Sequence, residues 1–401
     1  METATAVATE QLSALVLQEN LARALECVRS AVDSRRYALP VLESVKLATE
    51  YGRLTVTATN LDLTIKVFTG AMINGEGAAV IPYRQLRDSI KASPAATVGI
   101  KATGKLQTEI ECARATLSLK SYNPEDFPRI PMVPETPGVT FGGQDFARAL
   151  AYVEDAVAKD DSRPVLTGVL LSVVNARIAT LSAADGFVRA YRELPISGGV
   201  ENGEYIIPLA AMQTVAKLAM LDKRRPAEIC FTPGDRGTGA NVSRTNVHFA
   251  IGYCDIEVTA QTITGTFPSI SALRTDAAEP TFTVNRDALK TMVTRAGIIA
   301  REGSGIIRLY PGVDASGVTI LRARASADEV GQFDCAIDAT GTTSATRVAI
   351  QMKYLKMVLD AMPDVVALGI KSQETPILFA SPDGYWLVMP MFVTWDKEDA
   401  S

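Results

Sequence analysis

The single histidine of this 401-residue chain, His248, is the only residue through which a Ser-His-Asp relay could run. It lies in Thr245-Asn-Val-His-Phe-Ala-Ile251, an alternating segment that predicts a strand and a satisfied side chain, not a catalytic loop. The neighbouring acids Asp160 and Asp161 come with no metal-ligand pattern, and adjacent residues on a helix or loop diverge. Gly234-Asp-Arg-Gly-Thr-Gly239 has the glycine content of a phosphate-binding turn but neither the Gly-Lys-Ser/Thr ending nor the dinucleotide spacing, so it predicts a hairpin loop. The five cysteines, Cys27, Cys112, Cys230, Cys254 and Cys335, are scattered, odd in number and form no Cys-x-x-Cys pair. They predict reduced core thiols and not a zinc or disulfide framework. The expectation is a protein that is not an enzyme and has no metal or other cofactor.

The remaining chemistry is that of cations on helices. Arg84, Arg87 and Lys91 are spaced +3 and +4, on one helix face, where they could meet phosphates without reading bases. A net charge of −5 argues against a nucleic-acid partner until its distribution is considered. Six segments predicted to be helical, 21–36, 82–91, 145–159, 208–225, 286–301 and 352–361, together carry +10, which leaves −15 for everything else. Such a division draws a polyanion toward the helices and away from the remaining surface.

The elements that would position these groups recur along the chain. Leu21, Leu25, Val28, Val32 form an amphipathic stripe, as do Phe146, Leu150, Val153, Val157 and Leu289, Val293, Ala296, Ala300. Each stripe lies near a polar helix start, Asn20, Asp145 or Asn285. Leu39-Pro-Val-Leu-Glu-Ser-Val-Lys-Leu47 parallels Arg163-Pro-Val-Leu-Thr-Gly-Val-Leu-Leu171, and Ala58-Thr-Asn-Leu-Asp62 parallels Ala183-Ala-Asp-Gly186, in Val-, Ile- and Thr-rich segments that predict strands. Ile81-Pro82 and Ile207-Pro208 predict the start of a second helix, proline being favourable at a first helical position, with Ala349-Ile-Gln-Met352 as the third counterpart. Phe127-Pro128 and Phe267-Pro268 close the first two units, 140 residues apart. Boundaries near Pro137 and Asp276 give three α+β units of two helices and several strands each, 1–137, 138–275 and 276–401. With 47% apolar and 21% charged residues, no ~20-residue apolar run and no basic, apolar leader at Met1 to Glu19, the reading is a soluble cytoplasmic protein without a membrane partner.

In order and spacing, Leu39-Pro-Val-Leu, Ala58-Thr-Asn-Leu-Asp62, Asp161-Ser-Arg-Pro-Val-Leu-Thr-Gly168, Ala183-Ala-Asp-Gly186, Thr266-Phe-Pro-Ser269 and Met389-Pro-Met391 resemble the bacterial DNA polymerase III beta subunit family, from about Leu15 to Met391. The resemblance implies the DNA clamp fold: three repeated clamp domains in an arc, two chains pairing head-to-tail into a six-domain ring. Short extensions stand before the first domain and after Met391. The implied function is a polymerase processivity factor that slides on duplex DNA, without sequence preference, and tethers the replicative polymerase, the clamp loader and repair factors by short peptides.

Carried over by motif, the peptide pocket would comprise Leu166, Ala184, Asp185, Gly186, Phe187, Val188, Arg189, Pro268, Ala272, Leu273, Leu387, Val388, Met389, Pro390 and Met391. Where relatives commonly carry Thr or Ser, then Asp-Gly-His-Arg-Leu, this chain reads Ala184-Asp-Gly-Phe-Val-Arg189, and Ala272 replaces a frequent basic residue. That departure leaves a second reading, a clamp-fold peptide-binding hub that is not loaded on DNA; an unrelated enzyme on three α+β domains is the third. Arg23, Arg29, Arg36, Arg84, Arg87, Lys91, Lys159, Lys217, Lys223, Arg224, Arg225, Lys290, Arg295, Lys353 and Lys356 would face DNA, with Asp160 an unfavourable neighbour. The alternating strand at Ala113 to Leu119 is the expected dimer edge of the first domain.

Overall fold

The computed structural model describes residues 11–32, 39–103, 106–134, 138–199, 203–222, 224, 226–234, 245–252, 255–269, 277, 279–342 and 346–395. Arg36, Lys223, Arg225, Ala272, Leu273, Cys254, most of the loop after Gly234 and the boundary residues Pro137 and Asp276 lie outside them.

Six helices are described: α1 (Gln18–Val28), α2 (Tyr83–Ala92), α3 (Gly143–Val153), α4 (Leu209–Ala219), α5 (Arg286–Ala300) and α6 (Met352–Ala361). All three predicted stripes begin as helices, but α1 and α3 are shorter than 21–36 and 145–159: each tightens into one 3-10 turn, Arg29–Ala31 and Glu154–Ala156, and Val32 and Val157 are already extended. Of the three polar starts, only Asn285 caps its helix, its Oδ1 accepting from the Ala288 N–H at 2.9 Å. Asn20 lies inside α1 and Asp145 in the first turn of α3, where its charge suits the helix dipole. Pro82 and Pro208 do not open helices from within; each is the last residue of a strand, and α2 and α4 begin one residue later. Pro40 and Pro164 likewise start 3-10 turns, Pro40–Glu43 and Pro164–Leu166, ahead of the strands Ser44–Glu50 and Gly168–Val173.

The strands form three antiparallel sheets of five, nine and twelve members. The chain packs as two compact units. One comprises Met1–Gln144, Ser197–Val200 and Ala210–Thr262; the other comprises Asp145–Ile196, Glu201–Leu209 and Ile263–Ser401. The first unit holds the five- and nine-stranded sheets and the second the twelve-stranded one.

Each unit contains a junction between strands far apart in sequence, and the two junctions are alike. In the first, Leu63–Thr69 pairs with Ile256–Gln261, setting Val67 opposite Ile256, Ile65 opposite Val258 and Leu63 opposite Ala260. Main-chain bonds bracket it, Phe68 N–H to the Asp255 carbonyl and Gln261 N–H to the Asp62 carbonyl, both 2.9 Å. In the second, Val188–Pro195 pairs with Gly384–Val388, setting Arg192 opposite Gly384, Ala190 opposite Trp386 and Val188 opposite Val388. Glu193 N–H to the Asp383 carbonyl at 2.8 Å and Met389 N–H to the Phe187 carbonyl at 2.9 Å are the matching brackets. An ion pair crosses each junction at the same end, Arg53 to Asp255 at 2.7 Å and Arg192 to Asp383 at 2.9 Å.

His248 lies in the strand Asn246–Ile251, 2% exposed, with Nδ1 2.9 Å from the Thr259 hydroxyl. Burial holds its pKa below the ordinary 6.5. As pH falls through about 6.5 the unfolded chain therefore takes up a proton before the folded one does, so stability present above that pH is lost below it. The thermal midpoint should drop between about pH 7 and about pH 5.5, and His248→Gln should flatten that part of the profile. Identical profiles for the two proteins would assign the drop to carboxylates.

Candidate functional site

The paralleled segments singled out in the sequence fold alike. Asn60 Oδ1 accepts from the N–H groups of Asp62 (3.2 Å) and Leu63 (2.8 Å), and Asp185 Oδ1 accepts from those of Phe187 (2.8 Å) and Val188 (2.9 Å). Each is a side chain closing a hairpin tip on its own backbone. At the second tip Gly186 has φ +99°, a conformation that favours glycine, and the Arg163 guanidinium packs close over it.

Around this tip, entirely within the second unit, opens a cavity of about 240 Å³. Leu166, Ala184, Gly186, Phe187, Val188, Arg189, Pro268, Leu387 and Met389 line it, as expected from the sequence, together with Arg163 and Pro376, which were not expected. Asp185 shapes the tip without lining the cavity, and Val388, Pro390 and Met391 are not among the lining residues. The apolar wall is built on a packed cluster of Leu166, Leu170, Ala184, Ile206 and Phe267. Phe187, half exposed, stacks on Tyr354 of α6 with ring centroids 5.9 Å apart. An apolar wall with few polar groups is the chemistry of a groove for an extended peptide.

Arg189 is the polar group at the floor. It is 3% exposed; Nη1 donates to the Pro268 carbonyl at 2.9 Å and the guanidinium lies 5.3 Å from the Phe267 ring centre. Its Nε and Nη2 have no hydrogen-bond partner among the described residues. Burial pulls its pKa down to about 10, so it stays charged at neutral pH.

The helix cations fall into two groups. In the first unit α1 packs on α2, tied by the Gln18 side chain to the Ile90 carbonyl (2.7 Å) and the Tyr83 hydroxyl to the Leu25 carbonyl (3.2 Å). Arg23, Arg29, Arg84 and Lys91 on this pair are exposed, Arg87 is half buried, and Lys217 of α4 and Arg224 are exposed. In the second unit α5 packs on α6 so closely at Gly297 that a Cβ would collide with the Met352 sulfur. Lys290, Arg295 and Lys353 are exposed there, as is Lys159 in its loop, and Lys356 is half buried. Of the twelve expected cations that are described, three are committed to carboxylates: Arg29 to Glu26 (3.3 Å), Arg87 to Asp88 (2.6 Å) and Lys290 to Asp360 (2.6 Å). Exposed pairs of this kind exchange partners at small cost, on the order of 1 kcal/mol or less.

Residues 13–131 match the family model of the DNA polymerase III beta subunit, N-terminal domain, and residues 141–269 that of its central domain. A beta sliding clamp of Chlamydia pneumoniae is 23% identical over 383 residues, covering 94% of this chain and 98% of that protein. The DNA polymerase sliding clamp of Bacillus subtilis superposes with a TM-score of 0.81 at 19% identity, over 96% of this chain and 100% of that one. The DNA polymerase III subunit beta of Pseudomonas aeruginosa does so at 0.81 and 21%, over 95% and 100%. Two consecutive domain models matched in order, on strands and hairpin tips that repeat in the same register, place this chain in the DNA polymerase III beta subunit family, the beta sliding clamps.

Proposed function

We propose that this chain is a DNA polymerase processivity factor: two copies close head-to-tail into a ring around duplex DNA, and the cavity at Arg189 takes the clamp-binding peptides of the replicative polymerase, the clamp loader and repair factors. The chain would then divide into the three clamp domains 1–137, 138–275 and 276–401. It would work in the cytoplasm on DNA; no described helix is long and apolar enough to cross a membrane.

The observation that carries the ring is a pair of strand edges left open in the pattern of the two junctions. Among the described residues, Ala115–Lys120 pairs on one side only, with Gln107–Cys112, and residues 331–338 pair on one side only, with Thr319–Ala327. Open edges of this kind are templates for another strand. Ile81, Ile207 and Ile350 all lie just before a second helix, and pairing from these through the neighbouring strands brings Ile65, Ala190 and Phe333 to one register position, and so Val67, Arg192 and Cys335, two residues further on, to another. From the hairpin turns, Ile256, Gly384 and Ala115 also correspond. A third junction, made between copies, would put Ala115 opposite Cys335 and Leu117 opposite Phe333. A head-to-tail contact made twice with closure gives a two-fold ring.

Phosphate-directed lysines and arginines without base-reading groups suit a ring that must hold DNA and still move along it. After loading on nicked circular DNA by the loader of the same cell, the protein should stay bound in high salt and leave when the circle is cut. Release from intact circles would remove the encircling function; retained peptide binding with no loading at all would leave the hub reading.

A further inference from the structure

Past Met391 the chain does not trail away but returns to its own unit and ends its described path on a tryptophan. Trp395 meets Tyr310 edge-on, ring centroids 5.8 Å apart. The guanidinium groups of Arg347 and Arg308 lie 4.7 and 5.8 Å from its ring centre. Its indole N–H donates to the Gln373 Oε1 at 3.0 Å, and Arg308 Nη2 donates to the Thr394 carbonyl at 3.4 Å.

Both ends of this anchor lead to the cavity. Upstream, Met389 lines it, and the Met391 N–H is held by the Ala349 carbonyl at 2.8 Å. Across the indole hydrogen bond, Gln373 belongs to a turn fastened by Ser372 and Thr375, whose hydroxyls are 3.1 Å apart, and the next residue, Pro376, is again a lining residue. Pro376 and Met389 each stand one residue beyond the end of the ladder that sets Ile377 opposite Val388, and the indole ties these two strand ends together a second time. Chain ends fray unless tied down, and a groove whose walls are fixed beforehand loses less ordering entropy when a ligand enters.

We infer that Trp395 is a positioning residue for the peptide cavity, a latch that keeps the strand ends carrying Met389 and Pro376 from fraying where they line it. It touches no ligand; it acts by keeping the site formed. The inference rests on the cavity being a peptide site.

The test uses the full-length protein and a fluorescein-labelled peptide copying the clamp-binding segment of the replicative polymerase from the same cell. Trp395→Ala should weaken binding about tenfold, chiefly through faster dissociation, with solution mass unchanged, because affinity changes within one interface reside mostly in the off-rate. Trp395→Phe, which keeps a ring between the arginines, should recover to within about threefold of the parent. If Trp395→Ala proves unfolded, Gln373→Ala removes the hydrogen bond alone and should cost about threefold. Parental affinity in both Trp395→Ala and Gln373→Ala overturns the latch while leaving the pocket intact. A parent that binds no peptide overturns the pocket reading, and the latch with it.

Discussion

Leu117→Asp is expected to halve the particle, from twice the 42.8 kDa chain mass to a monomer, when followed by light scattering at micromolar concentration. In the register extrapolated from the two internal junctions, Leu117 occupies the place that Val258 and Trp386 occupy within the chain, both of them fully buried. In the single chain Leu117 is only half buried, and so is Phe333, its expected partner. A new carboxylate between them would lose water without gaining a partner, at several kcal/mol. A ring has two such contacts, so the penalty is met twice and the dimer constant should fall by more than about a thousandfold. Thr116→Asp, one residue along on the opposite face and exposed, should leave the mass unchanged. An intact dimer in Leu117→Asp would show that the closing edge lies elsewhere.

The second large effect concerns the cavity. Met389→Asp places a charge in a wall shared with Leu166, Val188 and Leu387, and should weaken the polymerase-derived peptide by roughly a hundredfold, equivalent to about 2.7 kcal/mol. Anisotropy titration checks this, with light scattering to confirm an intact dimer. The sequence drew attention equally to Pro390 and Met391. The structure separates them: Pro390 is buried outside the lining and Met391 is engaged through its backbone with Ala349. Met391→Ser should therefore alter affinity by no more than about threefold. Equal losses in the two variants would mean that the whole Met389 to Met391 segment enters the groove.

What could be read ahead of the structure was whatever repeats locally. The helical stripes, the paralleled segments around Asn60 and Asp185, and the matched Phe127-Pro128 and Phe267-Pro268 pairs all leave the same short-range trace each time, though the sequence showed neither the hairpin tips nor the burial of the two phenylalanines. Most of the residues that line the cavity came from the family resemblance, which supplied Leu166, Pro268 and parts of two short segments, 184–189 and 387–389. Arg163 and Pro376 escaped, since an arginine just before a 3-10 turn and a proline in a loop have no periodicity, and only folding brings them to one cavity. The Arg189 floor was visible as a residue, whereas its burial against Phe267 was not, for arginine is seldom buried. Helix ends were misjudged where a proline could end a strand as readily as begin a helix, at Pro82 and Pro208.

The ionic closures of the internal junctions bear on how such a molecule avoids assembling wrongly. Three final strands with nearly interchangeable backbones could in principle dock on any of three recipients, and a swapped ring or an endless filament would result. Within the chain, the turn ahead of the final strand carries Asp255 or Asp383 and the recipient side supplies Arg53 or Arg192. At the open edge the polarity is reversed: Arg114 stands in the turn and Lys120 ends the strand, while the recipient offers Asp338 at one end and Asp328 and Glu329 at the other. A misdocked strand would set Arg114 against Arg53 or Arg192, and like charges brought together in this way discriminate against wrong partners. In the proposed ring, sign reversal would act as an address, telling each edge whether its mate is in the same polypeptide or another.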